Sequence, residues 1–198
     1  MKKKIKHSRI SSTGQVVGNY DGEVNSKDLP HGKGKCIFED GFIYEGFWKN
    51  GKREGKGKFI YPNKIDYGEG MWKNDLLNGN GIMNIGNEYY KGMFKNHNRN
   101  GKGYYLWKDT GDTFVGLFKD NHRNGLGTYV TKSDGSVYKG LWKDDKRYGK
   151  GKITLQDGSW ISGIFNNDII EGEATMKFPD GKTIKEDWNS ILKYMKQR

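Results

Sequence analysis

Two landmarks recur along this chain at a locked separation, and they limit what it can fold into more than any other feature. The first is aromatic–x–Gly–x–aromatic–Lys–Asn/Asp. It appears as Tyr44, Gly46, Trp48, Lys49 and Asn50, then as Tyr90, Gly92, Phe94, Lys95 and Asn96. It returns as Phe114, Gly116, Phe118, Lys119 and Asp120, and as Tyr138, Gly140, Trp142, Lys143 and Asp144. Between the first two lies Gly70, Trp72, Lys73 and Asn74, with Gly68 in the first aromatic position and Tyr67 displaced by one. Weaker copies are Tyr20 and Gly22, whose second aromatic is Val24, and Ile161, Gly163 and Phe165. The central glycines step by 24, 24, 22, 24, 24 and 23 residues. The second landmark is Gly-x-Gly, which opens at Gly32, Gly55, Gly79, Gly101, Gly125 and Gly149 and degenerates to Gly172 with Ala174. From Gly46 onward it follows the first by nine residues; in the first repeat the offset is ten. A period in this range marks an array of stacked supersecondary units.

Each unit reads as a hairpin. Around Gly46, residues 44–48 form one strand, 49–54 a loop and 55–61 the second strand. Asn50-Gly51 is a tight-turn dipeptide, and Asp40-Gly41, Asp134-Gly135, Asp157-Gly158 and Asp180-Gly181 mark turns between units. Side chains alternate faces along a strand, so Tyr44, Gly46 and Trp48 share a face, joined by Gly55, Gly57, Phe59 and Tyr61. A glycine there leaves a slot in which a ring can lie over bare backbone. Composition agrees. Hydrophobic residues are only 33%, too few for an ordinary two-layer core. Yet 27 Phe, Trp and Tyr residues beside 30 glycines argue against disorder.

These motifs resemble the MORN (membrane occupation and recognition nexus) repeat, whose unit runs close to Tyr-Glu-Gly-Glu-Trp-Lys-Asn-Gly-Lys-Arg-His-Gly-Lys-Gly. Residues 44–57 match it at 12 of 14 positions. The resemblance covers about residues 20–182 and implies an all-β fold: an elongated single-layer antiparallel sheet, a solenoid of about seven hairpins. At about 4.8 Å per strand the stack would be on the order of 65–70 Å long. Family members serve as scaffolds at membranes, cytoskeletal structures and axonemes, and as accessory modules on lipid kinases and a lysine methyltransferase.

The repeats leave two ends. Residues 1–19 read as a basic tail with a cap strand near Gln15–Tyr20. Residues 183–198 read as a degenerate eighth repeat (Ile184, Glu186, Trp188) and a short capping helix over 188–197. Its stripe is Trp188, Ile191, Leu192 and Met195, with Asp187 as its cap; a partner-binding or membrane-surface helix is the alternative reading. Terminal units of an array need such cover.

Chemistry has little to stand on. The four histidines, His7, His31, His97 and His122, sit in the tail or in loops, and none has zinc-type spacing with the lone Cys36. His97 and His122 read as equivalent, exposed loop positions. The Gly-x-Gly pairs open strands, not helices, which speaks against a phosphate cradle. No enzyme activity, cofactor or metal is expected. A single cysteine fits a reducing compartment, and with no signal peptide, no membrane-spanning run and lysine at position 2 the expected location is the cytoplasm. The resemblance adds the cytoskeleton, the axoneme or the cytoplasmic face of a membrane.

Two features point to partners. The residue after the first-strand glycine is Phe47, Met71, Met93, Leu117, Leu141 and Ile164 in six consecutive repeats, where MORN units commonly carry Glu. By alternation these face away from Tyr44 and Trp48, together with Ile37, Ile60, Leu106 and Val130. A one-layer sheet has nothing of its own to cover a second apolar face, so the stripe is the candidate partner-binding groove, for a helix or an extended segment. Burial by sheet twist or in a homodimer is the alternative. The second feature is charge. The net +11 is concentrated at the ends, and Lys49, Lys73, Lys95, Lys119 and Lys143 recur at the hairpin loops beside Arg53, Arg99, Arg123 and Arg147. With Lys2, Lys3 and Lys4 they form the candidate contact for an anionic phospholipid surface. Asp40, Asp109, Asp134, Asp157 and Asp180 line the opposite edge. Single-stranded nucleic acid ranks lower, because the rings it would need follow the structural repeat. The structural positions are Tyr44, Gly46, Trp48, Gly92, Gly116, Tyr138, Gly140 and Trp142.

Overall fold

The computed structural model describes residues 1–11 and 14–196. Among these the chain forms sixteen strands and one helix, in two compact units, residues 1–98 and 99–198. The first unit holds β1 (Lys2–Ser11), β2 (Gly14–Val24), β3 (Pro30–Phe38), β4 (Ile43–Lys49), β5 (Lys52–Ile60), β6 (Tyr67–Lys73), β7 (Leu76–Ile85) and β8 (Glu88–Lys95). The second holds β9 (Asn98–Trp107), β10 (Thr113–Lys119), β11 (His122–Val130), β12 (Val137–Lys143), β13 (Lys146–Thr154), β14 (Trp160–Asn166), β15 (Ile169–Lys177), β16 (Thr183–Asp187) and α1 (Trp188–Lys196). Within each unit every strand pairs antiparallel with its neighbours in sequence. Each unit is therefore a single-layer meander, the all-β class the hairpin repeats predict.

The register aligns one glycine per strand. In the first unit Gly22 faces Gly34, which faces Gly46, and the row continues through Gly57, Gly70 and Gly81 to Gly92. In the second it runs from Gly103 through Gly116, Gly127, Gly140 and Gly151 to Gly163, and ends on Ala174. Rings lie in this trough. A Cβ on Gly57 would stand 2.5 Å from Cζ of Tyr44, and one on Gly116 2.5 Å from Cζ of Phe114. The tyrosine hydroxyls reach past the glycines to the backbone: Tyr44 Oη donates to the Phe47 carbonyl at 3.1 Å and Tyr138 Oη to that of Leu141 at 2.9 Å.

The rings interlock edge to face. Tyr44 meets Trp48 of its own repeat at 4.9 Å and Trp72 of the next at 5.4 Å, with interplanar angles of 87° and 82°. Tyr138 repeats the pattern with Trp142 at 5.1 Å and Phe165 at 5.1 Å. Such pairs add about 0.5–1.5 kcal/mol each beyond area burial. They leave Tyr20, Tyr44, Phe114 and Phe165 almost wholly buried in a sheet one layer thick. The third repeat breaks the zipper. A one-residue displacement moves a side chain to the other face, so Tyr67 does not join the trough and instead takes Lys58 over its ring at 4.0 Å. Gly68, in the ring's place, has nothing within 4 Å of where a Cβ would be.

The hairpin loops are shorter than the six residues the sequence suggested. Only Asn50-Gly51 separates β4 from β5, and both have positive φ, 49° and 81°. That is the type I′ geometry whose twist suits a two-residue hairpin. The surplus residues are taken up by a bulge in the second strand, where the register shifts between Gly46 and Trp48. Gly55 makes the bulge feasible with φ of 71°, a left-handed conformation that side chains resist.

The amino-terminal tail is a strand. Residues 2–11 pair along their length with β2 as β1. They are held by Lys3 on Asp28 at 2.6 Å and Arg9 on Asp40 at 2.5 Å. Arg9 also stacks 4.8 Å from the centroids of both Phe38 and Phe42. Its charge is therefore spent inside the fold, as a composition reading could not show. At the other end α1 packs on β15 and β16 with Ile191 buried, and Asp187 Oδ1 accepts the Asn189 N–H at 3.0 Å. The expected helix extended to residue 197, which lies outside the described residues.

Gly57→Val should drive a side chain into Tyr44 and destabilise the first unit by about 1–3 kcal/mol, the usual cost of overpacking. Gly68→Ala enters open space and should leave the melting temperature unchanged or raised. Thermal unfolding of the two variants followed by tryptophan fluorescence checks the pair; equal melting temperatures would remove the ring-over-glycine account.

Candidate functional site: the loop edge and the outer sheet face

At the hairpin loops the arginines are not a free basic edge. Arg53 at the start of β5 reaches the next hairpin's loop. Its backbone N–H and Nε donate to Asp75 Oδ1 at 2.9 and 3.1 Å, and its Nη2 donates to the Asp75 carbonyl at 2.8 Å. Its guanidinium stacks 4.5 Å from the Trp72 centroid. Arg123 does the same with Asp145 and with Trp142, at 4.1 Å, and Arg147 with Asp168 and Phe165. Arg99 bonds Asn121, in the aspartate's place. A backbone bond accompanies each latch, as from Asp145 N–H to the Arg123 carbonyl at 3.1 Å. Burial opposes ionisation of Asp145, but the Arg123 N–H, His122 and the guanidinium together hold its pKa below the ordinary carboxylate value.

One latch is built from other residues. Leu77 stands where the arginine would be and is buried, and His97 stands where the aspartate would be. The Leu77 N–H donates to His97 Nδ1 at 3.2 Å, and the His97 N–H to the Leu77 carbonyl at 2.9 Å. His97 therefore needs Nδ1 unprotonated. Burial and the Arg53 charge lower its pKa below 6.5, against the pull of Asp75. His97 and His122 are not equivalent, as the sequence suggested. His97 is the second loop residue, whereas His122 is the first residue of β11 and bonds Asp145 Oδ2 at 2.6 Å.

The recurring lysines keep their exposure. Lys49, Lys73, Lys95, Lys119 and Lys143 end the first strands and are solvent-facing. Asp120, Asp144 and Asp145 stand among them. Of the amino-terminal lysines, Lys3 and Lys4 lie beside Asp28 and Asp21, and Lys2 is exposed. On the opposite edge Asp134, Asp157 and Asp180 accept backbone N–H groups of their own turns. Asp40 receives Arg9.

On the outer face the apolar stripe falls where alternation puts it. Phe47, Met71 and Met93 in the first unit, and Leu141 and Ile164 in the second, are 37–46% exposed; Leu117 is half-buried. Each sits opposite the middle residue of a Gly-x-Gly: Lys33 faces Phe47, Lys56 faces Met71, Asn80 faces Met93, Lys102 faces Leu117 and Lys150 faces Ile164. The sixth such residue is Leu126, facing Leu141 and 64% exposed. Sequence reasoning passed over it, though an apolar residue inside Gly-x-Gly where other repeats carry Lys or Asn was the signal. The stripe also has a local role. A Cβ on the bulge glycines Gly55 and Gly79 would touch Phe47 and Met71 at 3.4 Å. Ile37, Ile60, Leu106 and Val130 lie on the same face, two pleats further along.

Among the described residues no group of three or more His, Cys, Asp and Glu could share a metal ion, and no helix is long and apolar enough to cross a membrane. Cys36 is buried, and burial pushes its thiol up to about 11.

The profile of the MORN repeat matches residues 20–42, 44–64, 69–87, 90–111, 114–136, 138–160 and 162–183. The chain belongs to the MORN repeat family. Its curated relatives are far longer proteins, of which it spans about one-twentieth. Alsin of Homo sapiens is 37% identical over 67 residues, which is 32% of this chain and 4% of alsin; alsin of Rattus norvegicus is 33% identical over 81 residues, 39% and 5%. The inactive protein tyrosine kinase pTKL of Plasmodium berghei is 41% identical over 58 residues, 29% of this chain and 4% of that protein. Among solved structures, the SAS-4 TCP domain of Drosophila melanogaster, in complex with a proline-rich motif of Ana2, aligns over 91% of this chain and 89% of its own at 12% identity, with a TM-score of 0.38. The E1021V mutant of the TCP10 domain of Danio rerio CPAP aligns over 91% and 98% at 12% identity, with a TM-score of 0.34. The MORN repeats here are a module for binding or scaffolding.

The Leu77–His97 latch gives a pH dependence with a definite sign. The folded His97 binds a proton less readily than the unfolded one, so its contribution is complete above about pH 6.5 and is lost as pH falls through the lowered folded value. His97→Asn installs the side chain that Asn121 uses in the equivalent loop. Wild type should lose stability relative to His97→Asn between pH 7.5 and 5, by no more than about 1 kcal/mol, the net worth of one hydrogen bond. Parallel urea titrations at the two pH values measure the difference; parallel curves would place the His97 proton elsewhere.

Proposed function

We propose that this chain is a non-catalytic adaptor that holds a partner protein against the outer face of its MORN sheet. The observation that carries this reading is the division between the faces. The ring face is occupied mainly by the chain's own rings and latching arginines. The outer face repeats an apolar side chain at the same register position in six successive repeats across the two units, exposed in all but Leu117. Phe47, Met71 and Met93 give the first unit such a line, and Leu117, Leu141 and Ile164 give the second. Exposed apolar patches on soluble proteins mark interaction sites, and methionines suit adaptable contacts. An assembly at the cytoskeleton, an axoneme or a cytoplasmic membrane face is the setting the family resemblance favours.

Peripheral binding of anionic phospholipid through Lys2, Lys3, Lys4, Lys49, Lys73, Lys95, Lys119 and Lys143 is the weaker reading. Arg53, Arg99, Arg123 and Arg147 are engaged in latches, and carboxylates stand between the edge lysines.

Photo-crosslinkers placed singly at Met71, Leu141 and the edge residue Lys73 in the native cell identify the partner. Capture from the first two sites and not from Lys73 is expected. The purified partner should then bind Met93→Glu with Leu117→Glu more weakly by at least about 2 kcal/mol, the scale of an interface hot spot, while circular dichroism stays unchanged. Full affinity in the folded double variant would place the interface off this face, and loss of the folded spectrum would make the stripe part of the core.

A further inference from the structure

The outer faces of the two units differ in charge. In the first, the row one pleat along from the stripe reads Lys35, Glu45, Lys58 and Glu69 on successive strands. Lys35 pairs with Glu45 at 3.5 Å and Lys58 with Glu69 at 3.9 Å, and the row then ends on Ile82 and Lys91. In the second unit the same row reads Tyr104, Val115, Thr128, Lys139, Lys152 and Ser162. It contains no carboxylate. Nor, from β9 to β14, does the stripe row, where Lys102 faces Leu117, Leu126 faces Leu141 and Lys150 faces Ile164. Lys102, Lys139, Lys150 and Lys152 are exposed, and among the described residues none of them joins an ion pair. The first carboxylates in these rows appear on β15, where Glu171 faces Ile164 and Glu173 binds Lys185.

We propose that the outer face of β10–β14 receives an acidic amphipathic helix of a partner protein, laid across the strands with leucine-like residues on Leu117, Leu126, Leu141 and Ile164 and carboxylates on the flanking lysines. The proposal rests on the adaptor reading above and adds the chemistry of its partner. The spacing suits a helix. Alternate strands lie about 9.6 Å apart, and a helical heptad advances about 10.5 Å, so side chains at i and i+7 meet equivalent positions of successive hairpins. The four apolar residues span about 19 Å, or roughly 13 residues of helix. Uncompensated lysines beside an apolar row select acidic flanks, since complementary potentials set specificity more than raw affinity. A planar anionic membrane fits less well. Carboxylates stand on both rims of this face, Asp134 and Asp157 on one side and Asp120 and Asp144 among Lys119 and Lys143 on the other, and a plane would meet them. A helix about 10 Å wide lies between them.

Three stapled synthetic helices of about 16 residues test this against the full chain by fluorescence anisotropy. All carry the same leucine face; their flanks are Glu, Gln or Lys. The Glu-flanked helix should bind at least about tenfold more tightly than the Lys-flanked one, and the gap should close in about 0.5 M salt as exposed charges are screened. Lys139→Glu with Lys152→Glu should reverse the order of the two, and Leu126→Ser with Leu141→Ser should weaken all three. If the charge-reversal variant does not fold, Lys102→Gln with Lys150→Gln replaces it and should narrow the gap. Equal binding of the three helices would overturn the acidic specificity and leave apolar docking intact. Binding of none would remove docking on this face altogether. Sedimentation with phosphatidylserine vesicles, lost in the Lys139 and Lys152 variant while no helix binds, would reassign the face to lipid.

Discussion

A sheet one layer thick can have a core only if its side chains bury one another on a single face, and the glycine row is what permits this. Ordinary strands put a Cβ at every second residue on each face, which keeps a ring standing off the backbone. Here each strand gives up one Cβ at the same level, and the register turns those absences into a trough that crosses the strands. A ring that lies down in the trough meets the next repeat's indole edge-on, as Tyr44 does with Trp72. Pairing register, ring orientation and burial are thus one constraint, since a slip by one residue would present Phe47 or Lys56 to the rings in place of Gly46 or Gly57.

The loop latch is the second half of that arrangement. The guanidinium of Arg53 lies on the Trp72 ring while its donors satisfy the next loop's carboxylate and carbonyl. The latch therefore covers the end of the zipper and fixes the loop's conformation together. The exchange at Leu77 and His97 shows that the two partners must change together. A carboxylate at position 97 would find no guanidinium beside Leu77, whereas an imidazole nitrogen can still accept the backbone N–H. The same repeat also lacks its trough ring at Gly68, so the apolar Leu77 side chain supplies burial that the zipper loses there.

The recurrence of Tyr44, Gly46 and Trp48, with Gly55 and Gly57 nine and eleven residues on from Gly46, was enough to read hairpins, faces and the ring-over-glycine packing, because each depends only on period-two alternation and on a missing Cβ. What sequence could not supply was long-range pairing. Arg53 and Asp75 are separated by a whole repeat, and nothing in their spacing distinguishes a latch from two solvated charges. The loops were read too long because the bulge at Gly55 hides two residues inside a strand. The amino-terminal lysines looked like a tail because charge runs usually are, yet alternate residues of Lys2–Ser11 suffice for a strand once β2 offers an edge. Of the candidate site, the stripe's face and exposure were legible from alternation. Leu126 and the charge imbalance of the second unit were not, because both are defined by cross-strand neighbours and not by neighbours in sequence.

This division of labour is the physical ground for the proposed docking on the outer face. On the ring side most positions are already committed, Gly68 apart: the other glycines to the trough, the aromatics to the zipper, the arginines to the latches. Substitution there costs the neighbouring repeat as well as its own. On the outer side the backbone asks only for strand-compatible residues and a cover for the bulge glycine, which Phe47, Met71 and Leu141 all provide with different shapes. Within those limits the first unit carries a self-paired ladder, Lys35–Glu45 and Lys58–Glu69, and the second carries lysines that join no ion pair among the described residues, Lys152 lying over the Trp160 ring. A self-paired ladder offers a charged ligand little, because each new contact must displace an existing one. Lys102, Lys139 and Lys150, outside any ion pair among the described residues, have no such competitor. The fold thus leaves one face free to vary, and it is on that face that the two halves of the chain have come to differ.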